Sequence, residues 1–218
     1  LAFLGGAVRG DLGMSYYHHQ PALQLVLERV PASLELVAAA LVIAVLVSIP
    51  VGIAAAMRRG TWVDQSALVA SLFGISAPPF WIAIMLILVF AVELRWFPSS
   101  GRGTLAHVVL PALSLALYRI ALFVRLVRSG MLDVLGYDYI RTARAKGLSE
   151  MAVVAKHAFR NILIPVVTLM GIQMGHLIAG AVVTERIFAW PGMGRLLLDA
   201  VYKLDYPVVI ASVMVVAF

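Results

Sequence analysis

Apolar residues in this chain come in four runs, 36–57, 67–92, 105–127 and 162–184, with charged residues gathered in the gaps between them. Each run is long enough to cross a hydrocarbon core as a helix, which takes about 20 residues. A fifth run, 208–218, is too short to span as it stands. The opening Leu1-Ala2-Phe3-Leu4 reads as the tail of another apolar stretch, and no cleavable signal peptide is visible, so the sequence is expected to be an internal piece of a longer chain. Pro50, Gly74, Pro78-Pro79, Pro111, Gly171, Gly175 and Gly180 punctuate the runs and predict kinked spans with close helix contacts. No internal repeat or low-complexity linker divides the sequence. The expectation is one membrane domain over 1–218: an outward segment 1–35, three spans within 36–127, a cytoplasmic segment 128–161, and 162–218 holding one full span, an outward loop and a truncated last span.

Composition agrees with lipid as the solvent. The chain is 62% hydrophobic and 13% charged, where globular domains have about 45–50% and about 25%. Without cysteine there is no disulfide framework, thiolate metal site or cysteine nucleophile. The net charge of +6 is read as loop arginines that set orientation and meet anionic headgroups, not as a nucleic-acid surface. Arg125, Arg128, Arg141, Arg144, Lys146, Lys156 and Arg160 crowd the gap after the third run, and Arg58-Arg59 follow the first. Alternating spans put both gaps on one side, which the density of cations makes cytoplasmic. The opposite gaps hold Arg95, Arg102, Arg186, Arg195 and Lys203, so the bias rests on the one dense loop. Residues 10–31, 96–105 and 187–207 then face outward.

Within the dense loop, 137–146 has helix-forming composition, and Gly147 is placed to end that helix. Ser149 is placed to cap a second helix over 150–161 that leads to Pro165. Ala143 and Gly147, four residues apart, share a helical face and leave it shallow. A shallow face among cations suits close approach by another protein; the same composition suits a helix resting on anionic lipid. On these residues alone the two readings are about even.

The wider set of motifs resembles a known family. These are Gly10-Asp11-Leu12-Gly13-Met14-Ser15, Trp96-Phe97-Pro98 with Gly101, Leu110-Pro111-Ala112, the segment from Asp138 to Gly147, and His157-Ala158-Phe159-Arg160-Asn161 before Ile164-Pro165. Glu185 with Phe188, Pro191-Gly192-Met193-Gly194 and Asp205-Tyr206-Pro207 complete it. Together they resemble the inner-membrane permeases of ABC importers, in the dipeptide/oligopeptide/nickel branch, and the opening motif resembles the first permease of the usual pair. The resemblance implies an all-α polytopic bundle of the type I permease kind in the inner membrane. It further implies a heterodimer with a second homologous permease, two ATPase subunits beneath it, and an extracytoplasmic binding protein that delivers peptide or a related solute such as nickel chelate or glutathione. ATP and magnesium would belong to the ATPases, and this chain would bind no cofactor itself. Gly147 sets the register of the family's coupling segment, which makes Arg141, Thr142, Ala143, Arg144, Lys146 and Gly147 the docking residues. Arg141 and Thr142 stand where the family pattern has glutamate and alanine, so only Ala143 and Gly147 match it.

No phosphate-cradling Gly-x-x-x-x-Gly-Lys-Ser/Thr loop and no His-Glu-x-x-His pair occurs, so the chain itself is not expected to be an enzyme or to hold a metal. His18-His19 reads as a solvated pair. Arg119 lies among Leu115, Leu117, Ile120 and Leu122, deep enough in a span to require a partner, a cavity or an interface. With Gln173 and His176 it is a candidate for the translocation path or the subunit interface. Arg125 and Arg128, nearer the loop, are expected to reach water by snorkelling. A stand-alone secondary transporter is the alternative. Against it, Glu35, Asp64 and Glu185 all fall near span ends, leaving no carboxylate mid-span to relay protons or hold sodium.

Overall fold

The computed structural model describes residues 11–217. Apart from one isolated antiparallel bridge between Met14 and Pro21, its regular structure is helical. In order it comprises α1 (Ala22–Met57), α2 (Trp62–Ser76), α3 (Pro79–Leu86) running into a π-helical stretch Ile87–Glu93, and α4 (Leu105–Leu135). Then come α5 (Asp138–Ala145), α6 (Glu150–Ala152) continuing through a π-helical stretch Val153–Ala158 into α7 (Phe159–Ile187), α8 (Met193–Tyr202) and α9 (Tyr206–Ala217). Among the described residues, α1, α4 and the run from α6 through α7 are long and apolar enough to cross a membrane, and the broken pair of α2 and α3 makes a fourth candidate. The expected all-helical polytopic class is therefore the observed one. Gly10, the Leu1–Leu4 stretch and Phe218 lie outside the described residues.

Three boundaries differ from expectation. The first helix starts at Ala22, not near residue 36, so most of the expected outward segment after that point is helix. Gln24, Glu28 and Arg29 dilute the hydropathy there, yet Ala22, Leu25 and Val26 share one face and are buried together. The second run is two helices and not one kinked span. Pro78 holds Ala77 extended (φ −74°, ψ 129°), and Pro79 opens the next helix, where its missing N–H is of no consequence. The 187–207 loop contains α8, a helix that the sequence pattern does not reveal because ten residues after Gly192 are too few for an apolar period to register.

The chain divides into two compact units. The first gathers the described residues up to Ala40, Pro79–Leu115 and the chain from Gly175 onward. One buried cluster joins Leu12 and the start of α1 to Met193, Ala200, Val208 and Ala211; another joins Ala83, Leu110 and Phe188. Gly13 packs against Pro207, and the Asp205 carboxylate accepts from Ser15 Oγ (2.5 Å) and Tyr16 N (3.3 Å), which ties the chain before α1 to the start of α9. The second unit holds Leu41–Pro78 and Ala116–Met174, with Phe123, Val127, Met131 and Ile140 buried in it. Val42 and Leu46 on α1, Val69 and Leu72 on α2, and Ile164 and Val167 on α7 are exposed. Apolar faces of that extent need lipid or another helical subunit as neighbour.

Candidate coupling segment and buried polar sites

The helix α5 is short and held at both ends. Tyr137, extended, precedes it; Asp138 in the first turn and Arg144 in the last complement the helix dipole. At the far end Gly147 N donates to Arg144 O (2.9 Å) and Leu148 N to Ala143 O (3.4 Å), a Schellman closure. That closure requires Gly147 at φ +80°, a left-handed backbone where a side chain is strained. Ser149 then caps the next helix, its hydroxyl accepting from Ala152 N (3.4 Å). The helix expected over 137–146 is observed as Asp138–Ala145, and the second, expected over 150–161, continues past Pro165 to Ile187.

The α5 helix is braced against the helix beyond the turn. Ile140 and Ala143 are buried, as are Val153, Val154 and Ala158 of the π-helical stretch on which α5 packs. Arg144 Nη2 donates to Glu150 Oε1 (2.6 Å) and its Nε to Oε2 (3.1 Å), while Asn161 Nδ2 donates to Tyr139 Oη (2.5 Å). The hydrogen bond from Arg144 holds the Glu150 carboxyl below its ordinary value. These contacts tie α5 to Glu150, to the π-helical stretch and, through Asn161, to the start of α7. A π-helical stretch at such a junction is a recurrent mark of functional helices.

One detail departs from expectation. Ala143 and Gly147 form no common exposed face, because Ala143 turns inward (6% exposed) and Gly147 stands in open space. Arg141, Thr142, Lys146, Gly147, Leu148 and Met151 are exposed instead. A spacing of four would put the two small residues together on an unbroken helix; the closure turn after Ala145 separates them.

Arg119 and Gln173 are buried, 8% and 7% exposed, whereas His176 is exposed. The guanidinium of Arg119 lies 5.3 Å from the Tyr118 ring centre. Arg128 does not simply snorkel. It forms a two-pronged ion pair with Asp64, by Nε to Oδ1 and by Nη2 to Oδ2 (2.8 Å), and Gly60 N also donates to Asp64 (2.9 Å). Glu35 pairs with Arg102 (2.5 Å). Because the helices extend beyond the expected spans, Glu35, Asp64 and Glu185 all lie inside helices, each with a structural partner.

Glu185 explains the Pro191-Gly192-Met193-Gly194 motif. Its buried carboxylate accepts from Ser33 Oγ (2.6 Å) and Arg195 N (3.0 Å), and Ser33 Oγ accepts from Met193 N (2.8 Å). The carboxylate thus sits over the first turn of α8, where free N–H groups favour an anion. A Cβ on Gly192 would come within 2.2 Å of it, so only glycine fits. Trp190 Nε1 donates to Ala32 O (2.8 Å) and Arg102 stacks over the Trp190 ring at 5.8 Å, fixing the same corner to α1. Nothing in the sequence links these motifs, because the separation of Ser33 from Glu185 leaves no local signal.

Comparison with known proteins assigns the class. The family described as binding-protein-dependent transport system inner membrane component matches residues 48–218, and the chain belongs to it. The dipeptide transport system permease protein DppB of Escherichia coli (strain K12) is 42% identical, over all of this chain and 73% of that protein. The glutathione transport system permease protein GsiC of the same strain is 43% identical, over 97% of this chain and 69% of that one. A chain of the MetNI methionine ABC transporter, in a structure described as inward facing, matches with a TM-score of 0.69 over 89% of this chain and 90% of that one; at 19% identity it shows the shared fold. The protein is thus a membrane-spanning inner-membrane permease subunit of an ABC importer, a transport component and not an enzyme. It works with ATPase and substrate-binding components, and the secondary-transporter alternative is set aside.

Proposed function

We propose that this chain is one of two different permeases in a peptide importer, and that residues 141–147 receive the motion of an ATPase subunit. Identity of 42–43% to permeases named for dipeptide and glutathione transport supports a short peptide as the cargo. The observation that carries the docking reading is the braced α5: it and the turn after it expose Arg141, Lys146, Leu148 and Met151, and its buried side packs on the π-helical stretch that leads into α7. Two ATPases bind ATP and magnesium on the cytoplasmic side, and this chain holds neither. Their closure displaces α5, α7 moves with it, and access switches from the outer to the inner side through differential binding of the two states. Arg119, Gln173 and His176 are assigned to the path or to the interface with the second permease.

The test is charge reversal at exposed positions, Arg141→Glu with Lys146→Glu, in the assembled transporter. Uptake of a labelled dipeptide and ATPase co-purification should both fall while the permease pair stays intact. Normal coupling in this variant removes the segment from the mechanism. Ala143→Glu is a poor probe of docking, since it would force a charge into the packing beneath α5.

A further inference from the structure

The structure assigns a second binding site to this chain, unrelated to the coupling segment: a basic cleft that holds the phosphate headgroup of an anionic phospholipid. A cleft of about 230 Å³ lies between the segment before α1, the second turn of α1 and helix α8, lined by His18, Arg29, Arg195, Asp199, Lys203 and Leu196. Its charge is not balanced from within. The Asp199 carboxylate accepts from Arg186 Nη1 (2.8 Å), a residue outside the cleft lining, and Arg195 Nε is farther away at 3.9 Å. Arg29 enters no ion pair among the described residues, and the Lys203 ammonium stands 5.4 Å from the centre of the Tyr17 ring. Arg29, Arg195 and Lys203 thus line one concavity with one carboxylate, Asp199, which Arg186 and Arg195 share, while Arg195 Nη1 also donates to Ala189 O (2.7 Å). Like charges lining one cleft repel, and an anion among them relieves the repulsion.

Position identifies the anion. Lys203 and Leu204 stand one residue, Asp205, before α9, a short apolar helix, so the cleft lies where the chain passes from the outward loop into apolar sequence. Close in sequence to the lining residues His18 and Lys203, Tyr16 (60% exposed), Tyr202 (76%), Leu204 (63%) and Tyr206 (59%) are exposed. Tyrosines with apolar neighbours next to the start of an apolar helix are the composition of a headgroup-level belt, where ring and hydroxyl each find their own medium. A basic recess opening within such a belt matches the phosphate and acyl parts of one lipid together. A free anion would use the recess and leave the exposed apolar rim without a role.

The experiment uses the purified, delipidated transporter and follows its thermal stability as phosphatidylglycerol is added, with phosphatidylcholine and inorganic phosphate as comparison probes. Phosphatidylglycerol should stabilise the wild type, and its apparent affinity should fall about five-fold for each cation removed by Arg29→Gln or Lys203→Gln, with Arg29→Lys close to wild type. Should Arg29→Gln assemble poorly, Lys203→Gln at an exposed position carries the same reading. The proposal is overturned if both variants titrate like wild type, or if inorganic phosphate stabilises as well as the lipid. It is also overturned if lipid response is kept while capture of the delivery protein is lost, which would make the cleft a protein contact.

Discussion

Replacing Asp64 by leucine should destabilise the permease far more than replacing Asp64 and Arg128 together. The Asp64 side chain is 4% exposed and that of Arg128 20%, and they meet in a two-pronged pair that Gly60 N completes. Removing the carboxylate alone leaves a guanidinium in a mostly dry site and a backbone N–H without its acceptor. Breaking a buried pair from one side costs about 3–5 kcal/mol. Partial exposure of Arg128 lets it recover some hydration, so the lower end of that range, about 3 kcal/mol, is expected. For a chain of this size that corresponds to a fall in the unfolding midpoint of about 6–12 °C. Asp64→Leu with Arg128→Leu removes both charges and exchanges them for apolar contacts, which is commonly neutral or favourable. The assay is the fraction of detergent-purified permease that remains monodisperse after a heating series, for wild type, both single variants and the double. Equal midpoints for Asp64→Leu and the double variant, or no loss in Asp64→Leu, would refute the reasoning.

Gly192→Ala places a methyl 2.2 Å from the Glu185 carboxylate and should lower stability by about 1–3 kcal/mol, readable in the same heating series, while Gly60→Ala, with no atom nearby, should lose only what its left-handed backbone imposes. Since the sequence has no cysteine, single-cysteine labelling is clean: a reagent that cannot cross the membrane should modify Ser100→Cys and Tyr202→Cys from outside but Ser149→Cys only after permeabilisation. The reverse pattern overturns the orientation read from cation density. Arg119→Leu should lower either permease-pair yield or dipeptide uptake, with Arg119→Lys keeping part of it, because a cation at that depth costs about 2.5–3.5 kcal/mol unless protein holds it. Unchanged yield and uptake in both variants would remove any role for this residue.

Solvent, class of fold and the local structure of residues 138–149 were all legible in the amino-acid order. Long apolar runs can be satisfied only as helices in lipid, and local rules suffice for α5: Gly147 closes it, Ser149 caps the next helix, and charge density separates it from the membrane. Helix ends were harder to read wherever burial overrode hydropathy. Ala22, Leu25 and Val26 are drawn into helix by packing on residues near the other end of the chain, though Gln24, Glu28 and Arg29 stand between and after them. Which charges belong together emerged only in three dimensions. Asp64 with Arg128, Ser33 with Glu185, and Arg29 with Lys203 around one cleft are remote in sequence, and a pairing between distant residues leaves no local periodicity to detect. Folding also turned Ala143 inward, because the face of a short helix that becomes its packing face is set by the neighbour it meets, here Val153 to Ala158, and not by its own spacing.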